Sequence, residues 1–358
     1  MNRLALILII GMSFLFSCSP KESINTQSIS VDIDSAEVLA LDAGKDINYV
    51  YLESSTEAFS KNIRNIFFAN DTIIRFGQDK VSAFDKQGKY LFDYSKIGEG
   101  PEEFVRLNNV FIKNGVVNMY DGNTRRLLRY STAGVYIDHI SCKKNDEGVS
   151  PSYIFPYPGT NNYIILPTFI GGASEAMTPL FGLYDETLTA IRFSKEPKTH
   201  PYINAYFPLV QFDKGILYND SHSYDIFYVD ENLTPELKYT VDYGKYAISK
   251  SLQEKGPAGI SKALVNESES LKYKSIGVNY LNNTQNHLIF ACSGKGLYLV
   301  SYDKISGRTK VFSPRIDSKL RWIGFLTVNG NQVTIAAESK DNYEQNFILI
   351  TFPLDKLI

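Results

Sequence analysis

The feature that most constrains this chain is a recurring strand–tight turn–strand unit. Ile66-Phe67-Phe68-Ala69, Asn70-Asp71 and Thr72-Ile73-Ile74 form the first, and Val110-Phe111-Ile112, Asn114-Gly115 and Val116-Val117 the second. Further turns fall at Gly159–Asn162, Asp213-Lys214-Gly215, Asn282–Asn286 and Asn329-Gly330-Asn331. Asn-Gly and similar pairs supply the positive φ angles that a two-residue hairpin needs. Successive turns lie about 44 to 55 residues apart, with one gap of about 70.

A second series of turns runs in phase with the first. It comprises Phe84-Asp85, Tyr130-Ser131, Tyr184-Asp185, Val229-Asp230 and Tyr302-Asp303, each followed by an apolar strand. In every case an Asp or Ser stands where its side chain can close a turn onto its own backbone. Interleaving the two series gives four strands per repeat, best seen as Leu107–Lys113, Val116–Tyr120, Arg126–Tyr130 and Val135–Ile140. Six four-stranded units of this length predict an all-β, six-bladed β-propeller over residues 46–358. The sixth unit has only three strands, Arg321–Val328, Gln332–Ala337 and Asn346–Phe352. The segment Ile47–Leu52 is left over, and the expectation is that this N-terminal strand closes the last blade and hides an open edge. The long gap, about residues 245–274, predicts a short helical insert between blades four and five, broken at Gly256-Pro257.

The N-terminus reads differently. Met1-Asn2-Arg3 is a short basic start, and Leu4–Phe16 is apolar but too short to span a bilayer. Residues 1–17 are therefore expected to be a signal peptide. The segment ends at Ser17-Cys18 and resembles a bacterial lipoprotein signal, which makes Cys18 the expected lipidation site. Residues 18–45 are polar and predict a flexible tether. Charge is balanced, with 37 Lys+Arg against 39 Asp+Glu, so nothing favours nucleic acid as a partner. Besides Cys18 only Cys142 and Cys292 are present, too few for a disulfide framework. With 24 Tyr and 22 Phe but one Trp, Trp322, the aromatics read as strand residues more readily than as a sugar-stacking platform.

The run Ile97-Gly98-Glu99-Gly100-Pro101-Glu102-Glu103-Phe104 lies in the first connection between blades, followed by Asn118–Asp121 and Leu127–Tyr130. It resembles the six-bladed β-propeller lipoproteins of Bacteroidetes, whose connection reads G-x-G-P-G-E-[FY], with Glu102 here in place of a Gly. It is also distantly similar to NHL-type propeller repeats. The resemblance implies an exported, lipid-anchored propeller of the cell envelope, an outer-membrane lipoprotein, and no established reaction. Asp34-Ser35-Ala36 and Asp71-Thr72-Ile73 resemble the O-glycosylation sequon of that phylum, which marks Ser35 and Thr72.

The motifs of known chemistries are missing. His139, His200, His222 and His287 have no metal-ligand spacing, and there is no G-x-S-x-G or H-E-x-x-H. No metal or cofactor is expected. The loops between second and third strands should share one rim with the inter-blade connections, which gathers Arg106, Asp121, Arg125, His222, Lys295 and Arg321 as candidate ligand-binding residues. The expected function is binding of a small-molecule, glycan or protein ligand by a rigid ring with variable loops. The alternatives are an enzyme acting on a polysaccharide or lactone, and a structural subunit of an outer-membrane assembly.

Overall fold

The computed structural model describes residues 26–358 except 45, 61, 78, 144–148, 170–178, 196–208, 220–223, 254, 256–261, 263–276, 294–295 and 342–345. Three strands precede the first blade: β1 (Gln27–Ser30), β2 (Glu37–Ala40) and β3 (Asn48–Tyr51). Blade one comprises β4 (Asn65–Ala69), β5 (Thr72–Phe76), β6 (Val81–Asp85) and β7 (Tyr90–Asp93). Blade two comprises β8 (Leu107–Lys113), β9 (Val116–Asp121), β10 (Arg126–Ser131) and β11 (Tyr136–Ser141). Blade three comprises β12 (Val149–Pro156), β13 (Tyr163–Phe169), β14 (Gly182–Tyr184) and β15 (Ala190–Phe193). Blade four is built from β16 (Val210–Phe212), β17 (Gly215–Asn219), β18 (Asp225–Val229) and β19 (Pro235–Asp242). Blade five is built from β20 (Asn279–Asn283), β21 (His287–Ser293), β22 (Leu297–Asp303) and β23 (Thr309–Arg315). Blade six holds β24 (Leu320–Asn329), β25 (Gln332–Ser339) and β26 (Ile348–Pro353). Its fourth strand is β3, antiparallel to β26 with Val50 opposite Leu349.

The turn chemistry sets this register. At the first hairpin of blade two, Asn114 and Gly115 adopt φ of 52° and 73°, the pairing a primed turn requires. In the turn between third and fourth strands, Asp85, Asp185, Asp230 and Asp303 each accept, through Oδ1, the N–H two residues on. Each of these turns also needs one left-handed residue. Gly88, Gly134 and Gly307 supply it in three blades, but Leu188 and Leu233 do so in the other two, at φ of 58° and 62°. Both leucines are buried, so apolar packing offsets a strain of about 1–2 kcal/mol. First-to-second hairpins and these turns lie at one end of the ring, the hairpin end. Second-to-third loops and inter-blade connections lie at the other, the loop end.

The expected tether over residues 18–45 gives way between 27 and 41. β1 adds to the outer edge of β19 and β2 to that of β23, both parallel, as fifth strands of blades four and five. The reason is a strict alternation, Ser28-Ile29-Ser30-Val31-Asp32-Ile33, and again at Leu39 and Leu41. All five apolar side chains are buried, against blades four and five or five and six. In the expected helical insert, the described residues form a 3-10 turn, Gly244–Tyr246, and a helical turn, Lys250–Gln253. Most of the remainder to 276 lies outside the described residues. Among the described residues, no helix is long and apolar enough to cross a membrane. Cys142 and Cys292 are buried thiols, neither of them in a disulfide.

Candidate functional site

The residues expected at the loop end divide. Asp121 is fully buried at the end of β9. Its carboxylate accepts the backbone N–H of Val105, Arg106, Asn123 and Thr124 and the Thr124 hydroxyl. With its lone pairs taken, it is an organiser of the loop and not an open ligand group. Arg106 is exposed beside it, and Arg125 is half-buried in the left-handed region at φ 55°. Arg321 stands on blade six, where its Nε donates to Glu338 Oε1 at 2.6 Å. The loop end therefore brings Arg106, Asp121 and Arg125 together on one blade and places Arg321 on another. His222 and Lys295 lie outside the described residues.

The Gly98–Phe104 run folds onto itself. Gly100 N–H donates to Glu103 Oε2 at 2.9 Å. A Cβ at Gly98 would meet that same carboxylate oxygen at 2.0 Å, so a larger residue there must displace the Glu103 side chain. Arg126 donates to the Gly100 and Glu103 carbonyls, each at 3.0 Å, and the Tyr130 hydroxyl donates to the Glu102 carbonyl. Phe104 is buried beneath. The carbonyls of Gly100, Glu102 and Glu103 are thus bonded by side chains of the loop's own blade, while Glu99 and the Glu102 side chain face solvent.

A cavity of about 910 Å³ lies elsewhere, on the ring axis. Residues on or beside the innermost strand of every blade line it, and it reaches the hairpin end at Lys113, Asn114, Gly159, Asn161 and Asn283. Its lining mixes amides, such as Asn65, Asn109, Gln211 and Asn282, with the rings of Phe67, Phe111, Phe155 and Tyr280. Lys113 is the one charged residue among the lining residues. Its Nζ donates to the Asn161 carbonyl at 2.7 Å and lies 4.2 Å from the Tyr163 ring centre, and burial lowers its pKa. Among the described residues, no group of three or more His, Cys, Asp or Glu is placed to hold a metal.

The same amides stitch neighbouring blades. Ile154 N–H donates to Asn109 Oδ1 at 3.2 Å, Val328 N–H to Asn282 Oδ1 at 3.0 Å, and Asn283 Nδ2 to the Gln211 carbonyl at 3.0 Å. Amides that bond backbone across a seam, Asn109 buried and Asn282 and Asn283 half-buried, fix the axial lining. Trp322 packs edge-on against Tyr280 at 6.3 Å and is no open platform. Sequence reasoning placed ligand residues on loops and overlooked this lining. The available signal was the recurrence of Asn on the innermost strands, at Asn65, Asn108, Asn109, Asn279, Asn282 and Asn283.

Fold and cavity together define a six-bladed β-propeller with an axial pocket lined by amides, aromatic rings and one lysine. The chain belongs to the family described as "Domain of unknown function (DUF4934)", whose model matches residues 26–347. Two solved structures share the fold. One is a protein of Bacteroides fragilis NCTC 9343 predicted to be exported, with 12% identity and a TM-score of 0.63 over 90% of this chain and 98% of that one. The other is a member of the DUF4221 family from Bacteroides vulgatus ATCC 8482, with 13% identity and a TM-score of 0.54 over 87% and 96%. No curated protein matches the sequence.

Proposed function

We propose that this protein is a lipid-anchored, extracytoplasmic propeller that binds a ligand through its axial cavity. The observation that carries the reading is the character of that cavity. A volume of about 910 Å³ suits a small molecule or a short segment of polymer. Its described lining offers amides, aromatic rings, hydroxyls and one amine, Lys113, which is held by the Asn161 carbonyl, and no carboxylate, imidazole or thiol to work beside that amine. This favours binding over the polysaccharide- or lactone-acting enzyme.

The signal-like start, Cys18 as its lipid-bearing residue, and a structurally similar protein predicted to be exported support a place in the bacterial cell envelope, as an outer-membrane lipoprotein. Its partners are then the membrane, through the anchor, and the bound ligand. In this reading β3 is the strand that closes the ring, and residues 245–274 are a short helical insert between blades four and five. Arg106, Arg125 and Arg321 are secondary ligand contacts at the loop end, a role proposed also for His222 and Lys295. Ser35, exposed, and Thr72, at the first hairpin of blade one, are O-glycan acceptors.

Glycan- and peptide-array binding on the mature domain tests the reading, with Thr327→Trp as the control. Thr327 lines the cavity, and an indole there obstructs it. Binding to the parent that Thr327→Trp abolishes, without loss of melting temperature, is the expected result. Undiminished binding by that variant overturns the cavity as the site.

A further inference from the structure

The geometry points to the hairpin end, with the mouth of the axial cavity, as the surface this protein turns toward the membrane. The inference rests on Cys18 as the anchor and adds an orientation to it.

β1 runs parallel to β19, with Gln27 opposite Tyr239 and Ser30 opposite Asp242. Thr26 Oγ1 donates to the carbonyl of Leu237. Traced back toward the N-terminus, the chain therefore descends toward Pro235, where β19 begins. That is the hairpin end: β19 starts after the Asp230–Leu233 turn, and this turn sits beside the Asp213-Lys214 hairpin, because Ile216 pairs with Val229. From Thr26 on, the chain therefore enters blade four from the same end as the cavity mouth.

Length then decides the orientation. About eight residues separate Cys18 from Thr26, a reach of roughly 26 Å at about 3.3 Å per residue. Two residues' rise takes the chain from the level of Leu237 past the edge of the blade, which leaves about 17–20 Å between the hairpin end and the lipid. To leave by the loop end instead, the chain would have to reverse and climb from the level of Leu237 to that of Asp242, about 17 Å. With a turn of about two residues, the whole tether is spent before it clears Gly244–Tyr246 beyond the end of β19. The short tether thus holds the hairpin end near the bilayer and presents the loop end away from it.

Lysines report both faces. Lys86 and Lys214 are exposed at the hairpin end, and Lys96, Lys319 and Lys340 are exposed at the loop end. The test is amine footprinting with a bulky, membrane-impermeant reagent, read by peptide mass spectrometry. The full chain purified from bacterial membranes is reconstituted in vesicles of phosphatidylethanolamine and phosphatidylglycerol and compared with the same protein in detergent. Slower modification of Lys86 and Lys214 by several-fold, with Lys96, Lys319 and Lys340 unchanged, is the expected outcome. Protection of the loop-end lysines, or equal rates on both faces, overturns the orientation. The mass of the N-terminal peptide separates the two readings. An unlipidated Cys18 overturns the anchor, and the orientation is then read on mature protein coupled through the Cys18 thiol to maleimide-bearing lipid, where Cys142 and Cys292 are buried. The same lysine pattern decides it there.

Discussion

Arg75 and Asn346 join the first blade to the last: Arg75 Nη1 donates to Asn346 Oδ1 at 2.8 Å, both side chains being buried. Arg75 Nη2 also donates to Ser82 Oγ at 2.9 Å, and Ser82 passes its own proton to Asp93 Oδ1 at 2.7 Å. Asn346 Nδ2 donates to the carbonyls of Glu53 and Ala58, on the segment that leads from β3 into blade one. Burial pushes the Arg75 pKa down to about 10, against the opposing pull of the Asp93 and Asp79 carboxylates, still far above neutrality, so the seam holds a guanidinium in contact with an amide, a hydroxyl and the Phe84 ring. Asn346→Ala removes one of these and is expected to cost about 1.5–3 kcal/mol. A double-mutant cycle with Arg75→Met checks it. The two losses should be strongly non-additive, and simple additivity would mean the contact does not couple the blades.

Gly88 and Gly115 separate strain from contact. Both have positive φ, 89° and 73°, but a Cβ at Gly88 would meet the Tyr51 carbonyl oxygen at 2.3 Å, whereas at Gly115 nothing lies within 4 Å. Gly115→Ala should cost about 1–2 kcal/mol, the left-handed penalty alone. Gly88→Ala adds the displacement of β3 and should cost clearly more. Chemical denaturation of the two variants measures the difference, and equal costs would contradict the close packing of Gly88 on β3.

The N-terminal strap should be part of the fold. Deleting residues 19–44 removes Ile29, Val31, Ile33, Leu39 and Leu41, buried side chains each worth about 1.5–3 kcal/mol at most. The expected result is a melting temperature far below that of the parent, while deletion of 19–25 leaves it unchanged. A 19–44 deletion that melts like the parent would show that β1 and β2 do not bind the blades.

Asp121 should behave as a folding residue. Asp121→Ala leaves the N–H groups of Val105, Arg106, Asn123 and Thr124 short of an acceptor and is expected to cost about 3 kcal/mol or more. Arg106→Ala, on the exposed neighbour, should stay within about 0.5 kcal/mol. Urea melts compare them, and equal stability of the two variants would return Asp121 to the list of free ligand groups.

Alkaline pH should unfold the ring. Burial raises the Cys142 thiol from 9.0 to about 11 and the phenols of Tyr239 and Tyr280 from 10.0 to about 12. A raised folded-state pKa contributes stability in full below the unfolded value and loses it as pH rises through the folded one. The Cys142 contribution, about 3 kcal/mol for about two pH units, should therefore fade between pH 9 and 11, and those of the tyrosines between 10 and 12. Thermal melts should be flat to about pH 9 and fall steeply above it. With Cys18 replaced by Ala, thiol reagents should find no reactive group in the native protein at neutral pH and both Cys142 and Cys292 after denaturation.

The repeat itself was written in the sequence. Asn114-Gly115 and Asp85 to Gly88 are local devices, in which a side chain or a missing Cβ chooses a turn within a few residues, so blade number and strand order could be read without coordinates. Leu188 and Leu233 show the limit, since they take a glycine's conformation only because the neighbouring blades bury them. Ile29 to Ile33 shows another: alternation of period two was present, but a four-residue strand has no partner until β19 lies beside it. The site depended most on tertiary structure. Asp121 looked like a free carboxylate until the chain brought the backbone N–H groups of residues 105 and 106 onto it, and the axial cavity exists only where six innermost strands, distant in sequence, converge. Local chemistry fixes turns, whereas burial and convergence are properties of the closed ring, and only the folded chain decides them.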